Sequence, residues 1–225
     1  MRIGIVCGLQ SEARAFAAAI EQHKWPVVVS GANAARAYAG AQKLLADGVD
    51  GLISLGLSGA LIEALATGEG ICAQSCWHPH LGLLAGPAGV LAGVEQAAMD
   101  AGCRPGRVVG SDRLISTLDE KADLQLASNA LAVDMETHEV ARAAQEAGRP
   151  WLAIRAVADT SESSIPSATQ EAVGPNGGVR VGRVMWGLAR RPWELGAVLR
   201  LGSESARAHD ELKRLAAAIA AAPGI

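Results

Sequence analysis

Two short stretches of the sequence place carboxylates where predicted strands end. In Ala132-Val133-Asp134-Met135-Glu136 an apolar segment runs into a Met-Glu pair that opens a predicted helix, and in Arg155-Ala156-Val157-Ala158-Asp159 a second apolar segment ends in an acid. Open α/β sheets bind ligands at strand ends, so we expect both carboxylates at one site. Such a pair is suited to holding a ribose with one acid and protonating a departing base with the other.

Asp159 is the candidate that would face the base. Breaking an N-glycosidic bond leaves negative charge on a purine, and a positioned general acid that protonates N7 typically contributes ~10²–10⁴-fold. An aspartic acid does this at neutral pH only if burial raises its pKa. As an acceptor, the same side chain takes a hydrogen bond from a 6-amino group, which favours adenine. The alternative is structural, with Asp159 capping the turn at Thr160-Ser161.

Glu136 is the candidate that would bind the ribose, because one carboxylate can accept hydrogen bonds from both sugar hydroxyls. Met135 would then form an apolar wall for the sugar. The alternative is an acid in the first turn of a helix, which the helix dipole favours. For Asp134 the sequence leaves a site role and a helix-capping role open.

Glu12 and Arg14 follow the first predicted strand. Beside a sugar, Glu12 would orient the nucleophile or bind the ribose, and the planar guanidinium of Arg14 would hold phosphate. By themselves these residues are typical of an exposed helix turn. Two strand-end loops, Ser30-Gly31-Ala32-Asn33 and Gly56-Leu57-Ser58-Gly59, carry small side chains that let the backbone approach a ligand.

The composition narrows the class of protein. A net charge of −3 argues against nucleic-acid binding, which would show a basic face. The four cysteines form no CxxC pair and the five histidines show no ligand spacing, so we expect free thiols in a reducing compartment and no metal. No apolar run reaches the ~18 residues of a membrane span, and the N-terminal residues are typical of a strand rather than a signal peptide. The expected location is the cytoplasm.

Short apolar runs alternate with helical patterns along the chain. Strands are predicted at 2–7, 26–29, 51–55, 71–73, 107–110, 131–134 and 151–157, and helices at 11–21, 33–46, 94–101, 120–128 and 136–147. Residues 78–93 are interrupted by Gly and Pro and give no prediction, and 174–178 form a predicted loop. The alternation predicts a three-layer α/β/α fold with a central mixed sheet. One domain is expected over 1–225, with about 179–225 as a C-terminal helical extension.

Taken together, these residues resemble the superfamily of nucleoside phosphorylases and methylthioadenosine/S-adenosylhomocysteine nucleosidases. The resemblance begins at Arg2-Ile3-Gly4-Ile5-Val6, includes Glu12 and is strongest over 132–159. It implies Asp159 and Glu12 as catalytic residues and inorganic phosphate as a co-substrate, with no other cofactor. It also implies two sets of contacts: to the nucleoside from Glu136, Met135, Ser58, Gly59, Leu114, Ile115 and Val133, and to phosphate from Arg14, Ser30, Gly31 and Arg36.

Within the superfamily the sequence is similar to the bacterial hopanoid-associated phosphorylases. The similarity rests on Gly8-Leu9-Gln10-Ser11-Glu12-Ala13-Arg14, Leu55-Gly56-Leu57-Ser58-Gly59 and Asp134-Met135-Glu136-Thr137-His138. It implies a homodimer that cleaves adenosylhopane with phosphate, releasing adenine and phosphoribosyl-hopane. Two alternatives stay open. One is a nucleosidase that hydrolyses methylthioadenosine or a relative, with Glu12 activating water. The other is a purine-binding protein without catalysis.

Two features bear on a lipid-linked substrate. The hairpin that the superfamily has between the first helix and the second strand is missing, and the loop after the fourth strand is also short. A shortened wall there would leave the 5′ end of the ribose open to a bulky lipid. The tail around residues 184–201 combines tryptophans and arginines on two predicted short helices divided by Pro192: Trp186, Trp193, Arg183, Arg190, Arg191 and Arg200. Such residues dock on an anionic bilayer, which predicts peripheral contact with the inner membrane face. The alternative is a pair of helices that cap the sheet.

Overall fold

A computed structural model describes residues 1–86, 89–166 and 181–225, with the backbone alone for 181–184. The loop predicted at 174–178 and the start of the predicted extension at 179 lie outside these residues. The described strands are β1 (Ile3–Cys7), β2 (Val27–Val29), β3 (Gly51–Ala60), β4 (Gly70–His78), β5 (Gly82–Ala85), β6 (Arg104–Gly110), β7 (Ala132–Asp134) and β8 (Trp151–Asp159). The described helices are α1 (Gln10–Ala15), α2 (Ala17–His23), α3 (Ala34–Ala46), α4 (Ala92–Asp100), α5 (Leu118–Ser128), α6 (Thr137–Glu146), α7 (Val181–Arg190) and α8 (Leu195–Ala221).

The mixed sheet closes on itself over five of its strands. β3 pairs in parallel with β8, β8 runs antiparallel to β4, β4 runs parallel to β6, β6 runs parallel to β7, and β7 returns antiparallel to β3. β1 and β2 extend the sheet from β3 in parallel, and β5 forms a hairpin with β4. The expectation of an α/β fold with a central mixed sheet is therefore confirmed.

Helices cover both faces of the sheet. On one face, α1, α2, α4 and α8 bury an apolar cluster that includes Ile5, Phe16, Leu152 and Leu212. On the other face, α3 and α6 pack over a cluster that includes Leu44, Val140 and Trp151. The interior strands bury mostly apolar side chains on both faces, as expected for strands covered on both faces. Ser54 on β3 and Arg155 on β8 are buried polar exceptions.

One edge of β3 changes partner along its length. Residues 51–55 pair with β1, whereas Gly59 and Ala60 pair with β7. Residues 56–58 lie between these two partners, so their backbone groups on this edge face neither β1 nor β7. On this edge of β3, the peptide N–H groups of residues 56–58 are therefore available to side chains or ligands.

Several boundaries differ from the sequence predictions. The helix predicted at 11–21 is two helices that meet at the buried Phe16, and the strand predicted at 71–73 extends over Gly70–His78. β5 lies in the stretch that gave no prediction. The two short helices predicted in the tail are wrong in length, because the second, α8, has 27 residues. Its C-terminal half packs in the core through Leu212, Leu215 and Ile219.

Candidate active site

Glu12 lies buried beneath the gap in the β3 ladder. Its Oε1 accepts a hydrogen bond from the Leu57 N–H at 2.9 Å, and its Oε2 accepts one from the Leu9 N–H at 2.7 Å. The first is a peptide group that β3 leaves unpaired as it passes from β1 to β7, and the second belongs to the turn that starts α1. Burial raises the pKa of Glu12, and the two peptide donors and the Arg155 charge oppose that rise. The fold thus places an acid, held by backbone donors, at this point of the sheet.

Glu136 lies beside Glu12 at the start of α6. Asp134 forms the turn that brings it there, since one Asp134 oxygen accepts from the N–H groups of Glu136 at 2.8 Å and Thr137 at 2.7 Å. The helix-capping role left open for Asp134 is the one the structure shows. Gly8 makes room for the Glu136 carboxylate, because a Cβ on Gly8 would lie 2.8 Å from Glu136 Oε1.

The guanidinium of Arg155 provides the positive charge of this cluster. It is fully buried; its Nε donates to Asp134 at 2.9 Å, and its Nη2 donates to Ser54 Oγ and Thr137 Oγ1. Its Nη1 has no hydrogen-bond partner among the described residues. A Cβ on Gly56 would lie 2.5 Å from this Nη1 and 2.8 Å from Glu12 Oε1. Because Gly56 has no side chain, the Arg155 guanidinium and the Glu12 carboxylate both fit into this buried space.

The cluster contains three carboxyl groups, Glu12, Asp134 and Glu136, but only one guanidinium, and this imbalance contributes to the shifted pKa of Glu136. Burial raises the pKa of Glu136 to about 8; the charge of Arg155 opposes this rise, and the charges of Asp134 and Glu12 add to it. Near neutral pH Glu136 therefore holds a proton for much of the time. A protonated carboxyl both donates and accepts, so Glu136 can hydrogen-bond one hydroxyl as donor and another as acceptor.

Asp159 ends β8 four residues beyond Arg155, about 13 Å along a strand at ~3.3 Å per residue. The register of β8 against β3 passes from Ser58–Val157 to Gly59–Asp159, so Ala158 is an extra residue that bulges at this point. A Cβ on Gly59 would lie 3.0 Å from Asp159 Oδ2. Glu136 belongs to the cluster around Arg155, so we call the strip the stretch of the ring that runs from this cluster along β8 to Asp159.

The sequence analysis missed the partner of Asp159. The Lys121 ammonium on α5 is buried and pairs with Asp159 Oδ2. Burial raises the pKa of Asp159, the charge and hydrogen bond of Lys121 oppose the rise, and the charge of Glu204 on α8 adds to it. The available signal was the spacing of Lys121, Leu124 and Ser128, which puts a lysine on the inward face of α5.

The other predicted nucleoside contacts are distributed around the same ring. Val133 pairs with Gly59 across β7 and β3, and Ile115 packs with Val133 in a small apolar cluster. Leu114 is partly exposed, and the buried Ser58 Oγ has no hydrogen-bond partner among the described residues. Met135, half-buried, lies between the capping Asp134 and Glu136. Val133 and Ile115 thus lie next to Gly59, which contacts Asp159, and a role of these residues in lining a nucleoside site stays a prediction.

The predicted phosphate contacts lie at the ends of β1 and β2. Ser30 is fully buried with its Oγ unpartnered in the described chain, and Gly31 next to it has a φ of 71°. Arg36 donates from Nε to the Ser30 carbonyl at 2.5 Å and from Nη2 to the Gly31 carbonyl at 3.1 Å, so these donors hold the loop. Arg14 is exposed on α1. The loop after β2 thus contains the buried Ser30 hydroxyl and small residues, and the Arg36 guanidinium donates to its carbonyl groups.

A trio of potential metal ligands was also not foreseen from the spacing of the histidines. Nε2 of His78 and of His138 lie 3.5 and 3.1 Å from the two oxygens of Asp112. The two rings are stacked, with centroids 4.5 Å apart and planes 6° apart. An ion bound to both nitrogens must lie in both ring planes, and stacked parallel planes do not meet in front of them. The arrangement instead fits two imidazoles that donate to one carboxylate.

The four cysteines are free, as expected, and all four are buried. Among the helices in the described part of the chain, none combines the length and apolar character needed to cross a membrane.

Comparisons with known proteins identify the class that this ring and its strand-end acids define. Residues 19–190 match the Phosphorylase superfamily, and the chain belongs to that superfamily of nucleoside-cleaving enzymes. Comparison with curated protein sequences gives no match.

Solved structures share the fold over nearly the whole chain. The structure is similar to 5′-methylthioadenosine/S-adenosylhomocysteine nucleosidase from Neisseria meningitidis in complex with methylthio-immucillin-A, with a TM-score of 0.71, 14% identity and 97% of both chains covered. It is also similar to futalosine hydrolase of Helicobacter pylori, with a TM-score of 0.65, 16% identity, and 96% of this chain and 97% of that chain covered. At these identities the likeness shows the fold.

Proposed function

We propose that the protein cleaves the N-glycosidic bond of an adenine nucleoside. The observation that carries the proposal is the pair of buried strand-end acids, Glu136 and Asp159, at two ends of one strip along the ring. Glu136 belongs to the cluster around Arg155, and Arg155 and Asp159 are four residues apart on β8, about 13 Å at ~3.3 Å per residue. This spacing suits a ligand with a sugar at one end and a base at the other. The nucleosidase named above, which shares the fold, binds methylthio-immucillin-A.

In this proposal each end of the strip has its own task. Glu136 binds the ribose hydroxyls, with Met135 against the sugar. Asp159 faces the purine, where it accepts from the 6-amino group or protonates N7. Ile115 and Leu114 line the base, and Gly59 allows the base to approach β3. Desolvation strengthens these polar contacts, because the groups involved are buried.

Phosphate is the first candidate for the group that takes up the ribosyl unit, as the resemblance to hopanoid-associated phosphorylases implies. The buried Ser30 and Ser58 hydroxyls lack partners in the described chain and are available as donors to an anion. Arg14, exposed on α1 two residues after Glu12, is the proposed source of positive charge for the anion. A neighbouring copy of the chain in the proposed homodimer would add further groups.

Water is the second candidate, and the position of Glu12 favours it. A buried carboxylate with a raised pKa, held by two peptide N–H groups, is suited to accept a proton from water. The same carboxylate beside Glu136 repels a phosphate anion. The two solved neighbours described above are named as a nucleosidase and a hydrolase.

The proposed 5′ substituent is a bulky lipid, as in adenosylhopane. Only three residues separate α2, which ends at His23, from β2, which begins at Val27. There is therefore no hairpin between α2 and β2, and in this proposal fewer residues enclose the 5′ side of the sugar. Peripheral membrane contact belongs to the same proposal, since such a substrate resides in a bilayer.

One assay separates these candidates. Purified protein is given adenosine with a 5′-alkyl extension, with and without phosphate, and the products are identified as ribosyl phosphate or free sugar. Release of adenine that requires phosphate supports the phosphorylase, whereas equal release without phosphate supports the hydrolase. A strong preference for a 5′-methylthio group over the alkyl extension would contradict the lipid substrate.

A further inference from the structure

Lys121 is a charged side chain buried in the wall of the base end of the site. Only 1% of the residue is exposed, although α5 is otherwise largely exposed around it. Its Nζ contacts three acceptors: Asp159 Oδ2, the Thr160 carbonyl at 2.6 Å and the Ser163 carbonyl at 2.9 Å. All three acceptors belong to the segment that leaves β8.

The three acceptors identify the protonation state of Lys121. An ammonium has three N–H donors, which match the three oxygens one to one. A neutral amine has two donors and would leave one buried oxygen unsatisfied, which is costly. Lys121 is therefore the ammonium, and its charge and hydrogen bond favour the carboxylate form of Asp159 against burial and Glu204, which raise the pKa of Asp159.

A carboxylate and a carboxylic acid recognise different purines. The carboxylate only accepts hydrogen bonds, so it pairs with a 6-amino group and repels the oxygen of a 6-oxopurine. The protonated acid can donate to that oxygen. Whatever fixes the charge on Asp159 therefore also fixes which purine fits.

We propose that Lys121 is a positioning and specificity-determining residue, which holds Asp159 as an acceptor for the 6-amino group of adenine and excludes 6-oxopurines. The inference rests on the proposed function in one respect, that Asp159 faces the base. Lys121 acts through Asp159, because its three protons are already used.

The groups around Asp159 predict how its carboxyl responds when Lys121 is removed. α8 brings the carboxylate of Glu204, which raises the pKa of Asp159, as burial does; α5 brings Lys121, which opposes both. β3 brings Gly59, which has no side chain. In Lys121→Met only the influences that raise the pKa of Asp159 remain, so its carboxyl takes up a proton at higher pH than before. It then becomes a donor.

The test is the binding of the free bases adenine and hypoxanthine, measured by calorimetry at pH 6 and pH 8. We expect the unaltered protein to prefer adenine at both pH values, and Lys121→Met to lose at least about tenfold of that preference at pH 6. Lys121→Arg, which keeps the charge, retains the preference. Lys213→Met, which removes an exposed lysine on α8, is the matched control and leaves the preference unchanged.

Other outcomes overturn the inference. If both affinities fall in parallel in Lys121→Met, with the adenine-to-hypoxanthine ratio unchanged at both pH values, Lys121 is merely structural. If Lys121→Met does not fold, Lys121→Gln, which removes the charge but keeps a neutral donor to Asp159, must show a loss of preference in the same direction at pH 6. A protein that prefers adenine through Lys121 but cleaves no nucleoside would refute the proposed function alone; one that binds neither base would refute both.

Discussion

Glu136 shows how one residue can serve a site at a cost to the fold. It is 5% exposed, and it lies with Asp134 and Glu12 around the single guanidinium of Arg155 in this cluster. Its pKa of about 8 means that the folded protein keeps a proton that the unfolded chain, with an ordinary value of 4.5, releases. Between these two values, folding becomes less favourable as the pH rises.

Replacing this carboxyl should therefore stabilise the protein in a pH-dependent way. In Glu136→Gln the melting temperature should differ little from that of the unaltered protein at pH 5 and exceed it at pH 8, because a pKa that differs by one between the folded and unfolded states corresponds to about 1.4 kcal/mol. Catalysis should fall at the same time. Melting curves at pH 5, 6, 7 and 8 measure the effect, with the exposed Glu63→Gln as control. A difference that does not grow with pH would show that Glu136 titrates normally.

The sequence was enough to predict that Asp159 ends a strand and that Glu136 lies where a helix begins, because an apolar run precedes each of them. It did not reveal that Lys121 pairs with Asp159, since 38 residues separate them and the pairing depends on how α5 crosses the ring. The capping role of Asp134 was one of two open interpretations. Local sequence spacing predicts at which end or on which face of an element a side chain lies, whereas the residues that it contacts depend on the order of the strands.

At the scale of elements, Arg155 joins four of them. From β8 it reaches Asp134 at the end of β7, Ser54 on β3 and Thr137 at the start of α6. This buried ion pair fixes the strand ends that carry the acids. Removing one partner of a buried pair leaves an uncompensated charge, which typically costs about 3–5 kcal/mol.

Arg155→Met should lower the free energy of unfolding by about 3–5 kcal/mol. Urea denaturation followed by circular dichroism measures the change. Arg149→Met, at an exposed position just before β8, serves as the control and should stay within about 0.5 kcal/mol of the unaltered protein. A comparably small loss in Arg155→Met would mean that the pair contributes little to holding these strands together.

Elements with strong apolar runs were predicted well, and those that depend on tertiary contacts were not. β1 and β8 are apolar runs that the sequence identifies, whereas the predicted end of β3 at residue 55 is wrong, because the strand continues through the predicted loop 56–59 to Ala60, where it pairs with β7 and β8. β5 lies in a stretch interrupted by Gly and Pro, and the break at Phe16 occurs within residues that favour helix. Burial of Phe16 against the sheet, which no local pattern records, ends α1 there. The closure of the sheet into a ring could likewise not be predicted, because it depends on the order of the strands.

For the whole molecule, the surface of α7 and the start of α8 differs from the rest. We call the tail surface the exposed apolar side chains Met185, Trp186, Trp193, Leu195 and Leu199. Trp193 is 76% and Trp186 62% exposed, and the guanidinium of Arg190 lies 4.4 Å from the Trp186 ring centre. Apolar side chains next to arginines suit the interface of an anionic bilayer. The alternative of helices that cap the sheet fits the C-terminal half of α8, which packs against β8, whereas α7 and the start of α8 carry these exposed side chains.

The tail surface should carry membrane binding. In sedimentation with vesicles, the protein should bind those containing phosphatidylglycerol and not neutral ones, and replacing both Trp186 and Trp193 by Ala should reduce binding at least about tenfold. The buried core is unaffected by these changes, so the melting temperature should stay the same. Equal binding to neutral vesicles, or binding that survives the double replacement, would contradict the proposed contact.

Light scattering of the protein without vesicles tests the proposed homodimer.

The measurement that tests the central proposal most directly is adenine release from a 5′-extended adenosine in the presence of phosphate, by the unaltered protein and by Asp159→Asn. The proposal predicts release by the former and a loss of about 10²–10⁴-fold in kcat/KM in the latter, with the fold retained. Release that persists in Asp159→Asn would remove Asp159 from the reaction. Binding of adenine without release from any adenine nucleoside would leave a purine-binding protein and contradict the proposal.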